Sequence, residues 1–164
     1  MVVVTDEHVV RGIRVREDNP TVLWHRSRYG LDTPNPEGFG SIPVIEGRRV
    51  VDLHFLLIAS EDMISHELIQ EALSERDLIV DAIAQMTVHT TSWDFPEKMP
   101  NGFGWEVAGV WYSAMFRMTG SGSRVLRVGL SKGFLPGTWI AGVPSHQITG
   151  VSVVDSPLHG HGRL

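Results

Sequence analysis

Asp52 and His54 stand two apart in the run Val51-Asp52-Leu53-His54-Phe55. On an extended backbone, residues i and i+2 share a face. This spacing sets an imidazole beside a carboxylate, a pairing used in general-base catalysis. No nucleophile accompanies the pair at a recognisable spacing. The simpler expectation is two polar residues where one strand face meets solvent or a partner subunit. A second imidazole opens His66-Glu67-Leu68-Ile69-Gln70. A zinc-binding helix of this type needs two histidines four apart on one face. Position 70 is glutamine, so the second ligand is missing. His159-Gly160-His161 near the C-terminus has the spacing of a weak chelate. Glycine-flanked histidines in a tail are expected to be solvent-exposed and adventitious ligands, short of the donors a bound metal requires. Gly120-Ser121-Gly122-Ser123-Arg124 is rich in glycine but lacks the Gly-Lys-Ser/Thr ending of a phosphate loop. It lies between two strand-like segments and reads as a hairpin tip. No catalytic residue, metal site or cofactor is therefore assigned, and the chain reads as non-enzymatic.

These residues must be held by a scaffold that the composition bounds. The 164 residues suit one domain. We expect a single α+β domain over residues 1–155 and an extended tail over 156–164. Hydrophobic residues make up 42%, enough for a globular core. The absence of cysteine excludes disulfides, thiolate metal sites and thiol catalysis, and fits a cytoplasmic protein. Lys and Arg total 14 against 19 Asp and Glu, for a formal charge of −5. The arginines are scattered, without the clustered basic face of a duplex-binding protein, so no sequence-specific nucleic-acid partner is expected. No apolar run approaches the roughly 20 residues of a membrane helix. The N-terminus has neither a basic region nor a long apolar core, so no signal peptide is expected.

Glycine and proline cut the chain into short pieces, which predicts a β-rich α+β fold. Its mixed or antiparallel sheet, or sheets, would pack against one main helix, with long loops. Residues 48–59 read as a strand apolar on both faces, hence central or covered by a helix. Within them, 50–59 would pair with 42–45 across Glu46-Gly47. Residues 60–63 break the strand. Residues 64–73 form an amphipathic helix with Ile64, Leu68, Ile69, Ala72 and Leu73 on one stripe, capped by Ser65 or Asp62. Residues 74–77 end it. Residues 78–86 continue as a second short helix, or a strand begins at Thr87. Residues 2–4 and 9–15 suggest a first hairpin, and 21–25 a short strand. Residues 30–40 form a long loop, with Tyr29 before it and Phe39 within it. Residues 93–105 form a second loop carrying Trp93, Phe95, Phe103 and Trp105. Exposed, these aromatics would mark an interface; buried, they would close one end of the core. Residues 107–118 and 124–130 form the clearest hairpin, and 138–143 with 148–154 another pair.

The order of strand, acidic turn and helix in residues 51–73 resembles that of the tail-terminator, or cap, proteins of tailed phages and contractile injection systems. The strand is Val51-Asp52-Leu53-His54-Phe55-Leu56-Leu57, the turn is Glu61-Asp62 and the helix carries His66-Glu67-Leu68. Val110-Trp111-Tyr112-Ser113-Ala114-Met115-Phe116-Arg117-Met118 is similar to the late sheet strand of those proteins. A tail-tube subunit or a neck protein is a related alternative. The resemblance implies a ring-forming subunit, hexameric in the simplest case, that closes the tail and joins it to the head. Its partners would be further copies of itself and neighbouring tail or head–tail connector proteins. Its place would be the virion, or the cytoplasm before assembly. Function would then lie in interfaces, for which Trp93, Phe95, Phe103, Trp105, Phe39 and Tyr29 are the candidates. Two other classes stay open: a small β-rich domain with the aromatic loop as a ligand mouth, and a small hydrolase or isomerase built on Asp52 and His54.

Overall fold

Ten strands and three α-helices follow one another among the described residues of the computed structural model, which are 2–32, 36–91, 98–148 and 153–154. The strands are β1 (Val4–Val15), β2 (Gly30–Leu31), β3 (Val44–Ile45), β4 (Arg49–Ile58), β5 (Leu78–Ile79), β6 (Asn101–Val107), β7 (Val110–Met118), β8 (Arg124–Leu130), β9 (Trp139–Pro144) and β10 (Val153–Val154). The helices are α1 (Pro20–Ser27), α2 (His66–Ser74) and α3 (Ala82–Val88). Eight strands form one sheet in the order β1-β4-β9-β6-β7-β8-β2, with β5 attached to β9. It is mixed, because β6 runs parallel to β9 and β2 parallel to β8. The expected β-rich α+β class is the observed one.

β4 is central because both its faces are apolar. Val51, Leu53 and Phe55 enter one core with Leu23 of α1 and Ile83, Met86 and Val88 of α3. Leu56 and Ile58 enter a second core with Ile69, Ala72 and Leu73 of α2. Helices thus cover both faces of the sheet, rather than one main helix covering one. α2 starts where its cap requires: the Ser65 Oγ accepts from the Leu68 N–H at 3.2 Å.

Several expected elements differ, each for a local or a packing reason. Residues 2–4 and 9–15 make no hairpin; they belong mostly to the continuous β1, which pairs antiparallel with β4 through two register shifts. One shift is at Gly12 (φ 69), whose N–H donates to Asp52 Oδ1 at 2.9 Å. Residues 21–25 are helical. Asn19 Oδ1 accepts from the N–H groups of Thr21 and Val22, and Pro20 takes the first helical position, which its fixed φ favours. This cap outweighs the strand preference of Val22 and Trp24. β3 pairs with β10, not with β4. Arg49 turns back to donate to the carbonyls of Ile45 and Gly47 at 3.0 and 2.8 Å. Residues 78–86 split into β5 and α3, because Asp81 accepts from the Ala84 N–H at 3.0 Å and starts a new helix there. No strand starts at Thr87. β9 pairs with β4, β5 and β6 and not with the segment 148–154, whose described strand β10 pairs with β3 beyond the turn at Ser145–Gln147.

Segment 131–135 is fastened to the start of α2 by a two-bond bridge: Ile64 N–H to Phe134 O at 2.7 Å and Phe134 N–H to Ile64 O at 2.9 Å. Gly133 (φ 143) makes this approach possible, since a Cβ there would collide with the Ile64 carbonyl oxygen. Gly133→Ala is expected to lose about 1–3 kcal/mol of stability, read from urea unfolding curves. A midpoint unchanged from wild type would contradict this account of the contact.

Candidate functional site

The alternation of β6 decides the fate of the aromatics. Asn101, Phe103, Trp105 and Val107 share one face, and Gly102, Gly104 and Glu106 the other. Phe103 and Trp105 are therefore buried in the main core and not in an exposed loop. Tyr29 is buried there too, edge-on to Phe116 at 5.1 Å, and Phe39 packs against the same cluster. The Trp105 indole N–H donates to Ser41 Oγ at 3.0 Å. Phe103, Trp105 and Tyr29 thus lie inside the core, and Phe39 is half-buried against it. Trp93 and Phe95 lie outside the described residues, as do His159 and His161. The period-2 spacing of Phe103 and Trp105 was the sequence signal for a strand, masked by the intervening glycines.

Asp52 and His54 are engaged separately. Asp52 accepts from the Gly12 N–H and from Gln147 Nε2 at 3.0 Å, and these bonds hold its carboxyl below the usual range. His54 Nδ1 faces Glu7 at 3.5 Å. Asp52 thus ties the β1 bulge at Gly12 to the turn at 145–147, while His54 faces β1.

The opposite sheet face is the more open one. Its β6 glycines are required by what lies over them. A Cβ on Gly104 would stand 2.7 Å from the His66 ring, and one on Gly102 would meet Phe134. His66 is buried and stacks on Trp111, with ring centroids 4.3 Å apart and planes 5° from parallel. Its Nε2 lies 3.0 Å from Ser131 Oγ, and burial lowers its pKa. This Ser–His contact joins residues 65 apart in sequence and had no local signal. The Ser131 hydroxyl also bonds the Gly133 N–H and carbonyl, each at 3.1 Å, which folds the loop. No carboxylate hydrogen bond to His66 is found among the described residues, and no group of three metal-ligating side chains occurs among them.

Past His66, α2 no longer covers the sheet. Ser113 lies opposite Gly129, and Met115 opposite Arg127, on β7 and β8. Above them opens a cleft of about 410 Å³. Gly129 leaves its floor bare, since a Cβ there would meet nothing within 4 Å. Its rim is apolar and exposed: Met63 at 48%, Leu130 at 63% and Leu135 at 61%. Lys132 and Arg127 add positive charge, the latter 3.4 Å from Asp32. Ser131 also lines it, and an exposed apolar rim of this kind is a common feature of contact surfaces.

Compared with known proteins, the chain matches no family model, no curated protein and no solved structure. No helix among the described residues is long and apolar enough to cross a membrane.

Proposed function

We propose that this chain is a structural, self-assembling subunit of a phage tail or tail-like particle, such as a tail terminator, tube or neck ring. The observation that carries this reading is the half-covered sheet face: α2 covers one part, and over β7 and β8 the layer ends in a cleft rimmed by Met63, Leu130 and Leu135. A second copy completes the layer. Charge complementarity favours α2 of that copy as the occupant. Its outer face presents Leu68 between the acidic Glu67 and Glu71, whereas the cleft carries Lys132 and Arg127. Two different patches then meet, a head-to-tail contact that closes into a ring or extends as a tube. The tail assignment draws support from the order of elements at residues 51–73: β4, the bend at Glu61-Asp62, then α2.

Light scattering with negative-stain imaging tests this. Wild-type protein is expected to give closed rings or stacked tubes. Leu130→Asp with Leu135→Asp is expected to give a folded monomer. Lys132→Glu is expected to weaken assembly, and adding Glu67→Lys to restore it. A wild-type chain that stays monomeric at every concentration overturns self-assembly. Assembly untouched by the Leu130 and Leu135 changes overturns the cleft as the contact.

A further inference from the structure

Ser131 lines the cleft over β7 and β8, and the buried His66 lies beside it, with Nε2 3.0 Å from the Ser131 Oγ. A hydroxyl that reaches a cleft and an imidazole within hydrogen-bond distance of it are the two parts of an activated nucleophile. Trp111 fixes both. The His66 ring stacks on the Trp111 indole and meets Phe134 edge-on at 5.9 Å. The Ser131 N–H donates to the Trp111 carbonyl at 3.0 Å. Two residues far apart in the chain are thus registered on one residue of β7. That keeps Oγ and Nε2 within the reach proton transfer needs.

Structural duty does not require this imidazole. The turn at 131–133 is closed by the two bonds between the Ser131 hydroxyl and Gly133, without His66. Phenylalanine would stack on Trp111 equally well and bury no polar nitrogen. Burial lowers the His66 pKa from 6.5, opposed by Glu67 and the Ser131 backbone, so the ring is the neutral base at pH 7.

The surroundings suit acyl transfer. Many serine hydrolases draw an oxyanion donor from the N–H of the residue after the nucleophile. Here that group is the Lys132 N–H, at the cleft wall and without a hydrogen bond among the described residues. Met63, Met115, Leu130 and Leu135 line the same cleft and offer an apolar acyl chain a place to lie.

We propose that Ser131 and His66 form a catalytic dyad that hydrolyses esters of apolar acyl chains bound in this cleft. The Ser131 hydroxyl proton passes to His66 Nε2 as Oγ bonds to the acyl carbon. The bond from that carbon to the leaving alkoxide then breaks, and the alcohol departs with the proton from His66. Water repeats the sequence: it gives a proton to His66, its oxygen bonds to the acyl carbon, and Ser131 leaves and recovers its proton. The sum is ester and water to acid and alcohol. This activity goes beyond the assembly reading and belongs to the unassembled chain, because a neighbour's α2 seated in the cleft would cover Ser131.

The test treats the unassembled fraction of the wild-type chain with an alkyl fluorophosphonate and locates the adduct by peptide mass spectrometry. One adduct is expected, on Ser131, and none on the urea-unfolded chain. Hydrolysis of p-nitrophenyl octanoate is expected to exceed that of the acetate at least about tenfold in kcat/KM, through burial of the longer chain. His66→Gln is expected to lower kcat about 100-fold or more while Ser131 and its turn remain. The wild-type rate should hold down to pH 6.5 and fall only in more acid solution, as His66 gains its proton. No adduct, an adduct on another serine, or equal labelling of the unfolded chain overturns the dyad. Labelling and hydrolysis by His66→Gln at the wild-type rate overturn His66 as the base. A chain that labels at Ser131 yet never assembles keeps the dyad and refutes only the assembly reading.

Discussion

Replacing Asp81 with alanine is expected to cost about 3–5 kcal/mol of unfolding free energy, the largest loss foreseen for a single polar side chain here. The Asp81 side chain is fully buried and that of Arg49 is 3% exposed. They meet in a two-pronged contact, Nε to Oδ2 at 3.0 Å and Nη2 to Oδ1 at 2.7 Å. The same carboxylate caps α3. Alanine removes the cap and leaves a guanidinium in the interior with two carbonyls and no counter-ion. Most of the loss comes from that stranded charge. The double variant Arg49→Met, Asp81→Asn removes both charges while asparagine keeps a capping oxygen. It should therefore lie closer to wild type than Asp81→Ala does. Urea unfolding followed by tryptophan fluorescence measures all three. A loss below about 1 kcal/mol for Asp81→Ala would put the pair in the class of exposed ion pairs and refute the assignment.

Acid is expected to weaken the fold through His89. Its ring stacks on Phe116 with centroids 3.9 Å apart and meets Tyr29 edge-on at 5.0 Å. Burial is the main cause that pushes its pKa from 6.5 down to about 4; the bond to Asn101 opposes the shift and Arg124 adds to it. The folded-state pKa is depressed, so between those two values the unfolded chain binds a proton that the folded chain does not. Stability is full above pH 6.5, falls as the pH drops toward about 4 and has lost this contribution below it. The loss is about 3 kcal/mol. His66, also depressed by burial, adds a slope of the same sign. The contribution of His89 is isolated by subtracting the pH–stability curve of His89→Phe from that of wild type. Parallel curves from pH 7 to 4.5 would show that His89 does not titrate between the two states.

Parts of this fold were legible because their signals are local. The apolar faces of residues 48–59 announced a central strand, and β4 lies between β1 and β9. The hairpin of β7 and β8 was set by its flanks and by the turn at Thr119, whose N–H donates to Ser123 O at 2.8 Å. α2 lies within two residues of the expected helix and takes the expected Ser65 cap. α1 was also signalled, by Asn19 and Pro20, but Val22, Leu23 and Trp24 suggest a strand when propensity is weighed without the cap.

The candidate site was not legible. Nothing near Ser131 points to His66. The glycines at 102 and 104 read as loop formers until Phe134 and His66 were seen to lie over them. By itself the sequence determined the β-rich α+β class, the central strand, the capped helix and the late hairpin, because alternation, capping and turn chemistry act between neighbours in the chain. Tertiary structure alone decided that Phe103, Trp105 and Tyr29 are core, that β3 pairs with β10, that Asp81 neutralises Arg49 and that the cleft over β7 and β8 stays open. Each of those outcomes depends on which distant surfaces bury one another, and that choice is made by the apolar area removed from water across the whole sheet, not by any single segment.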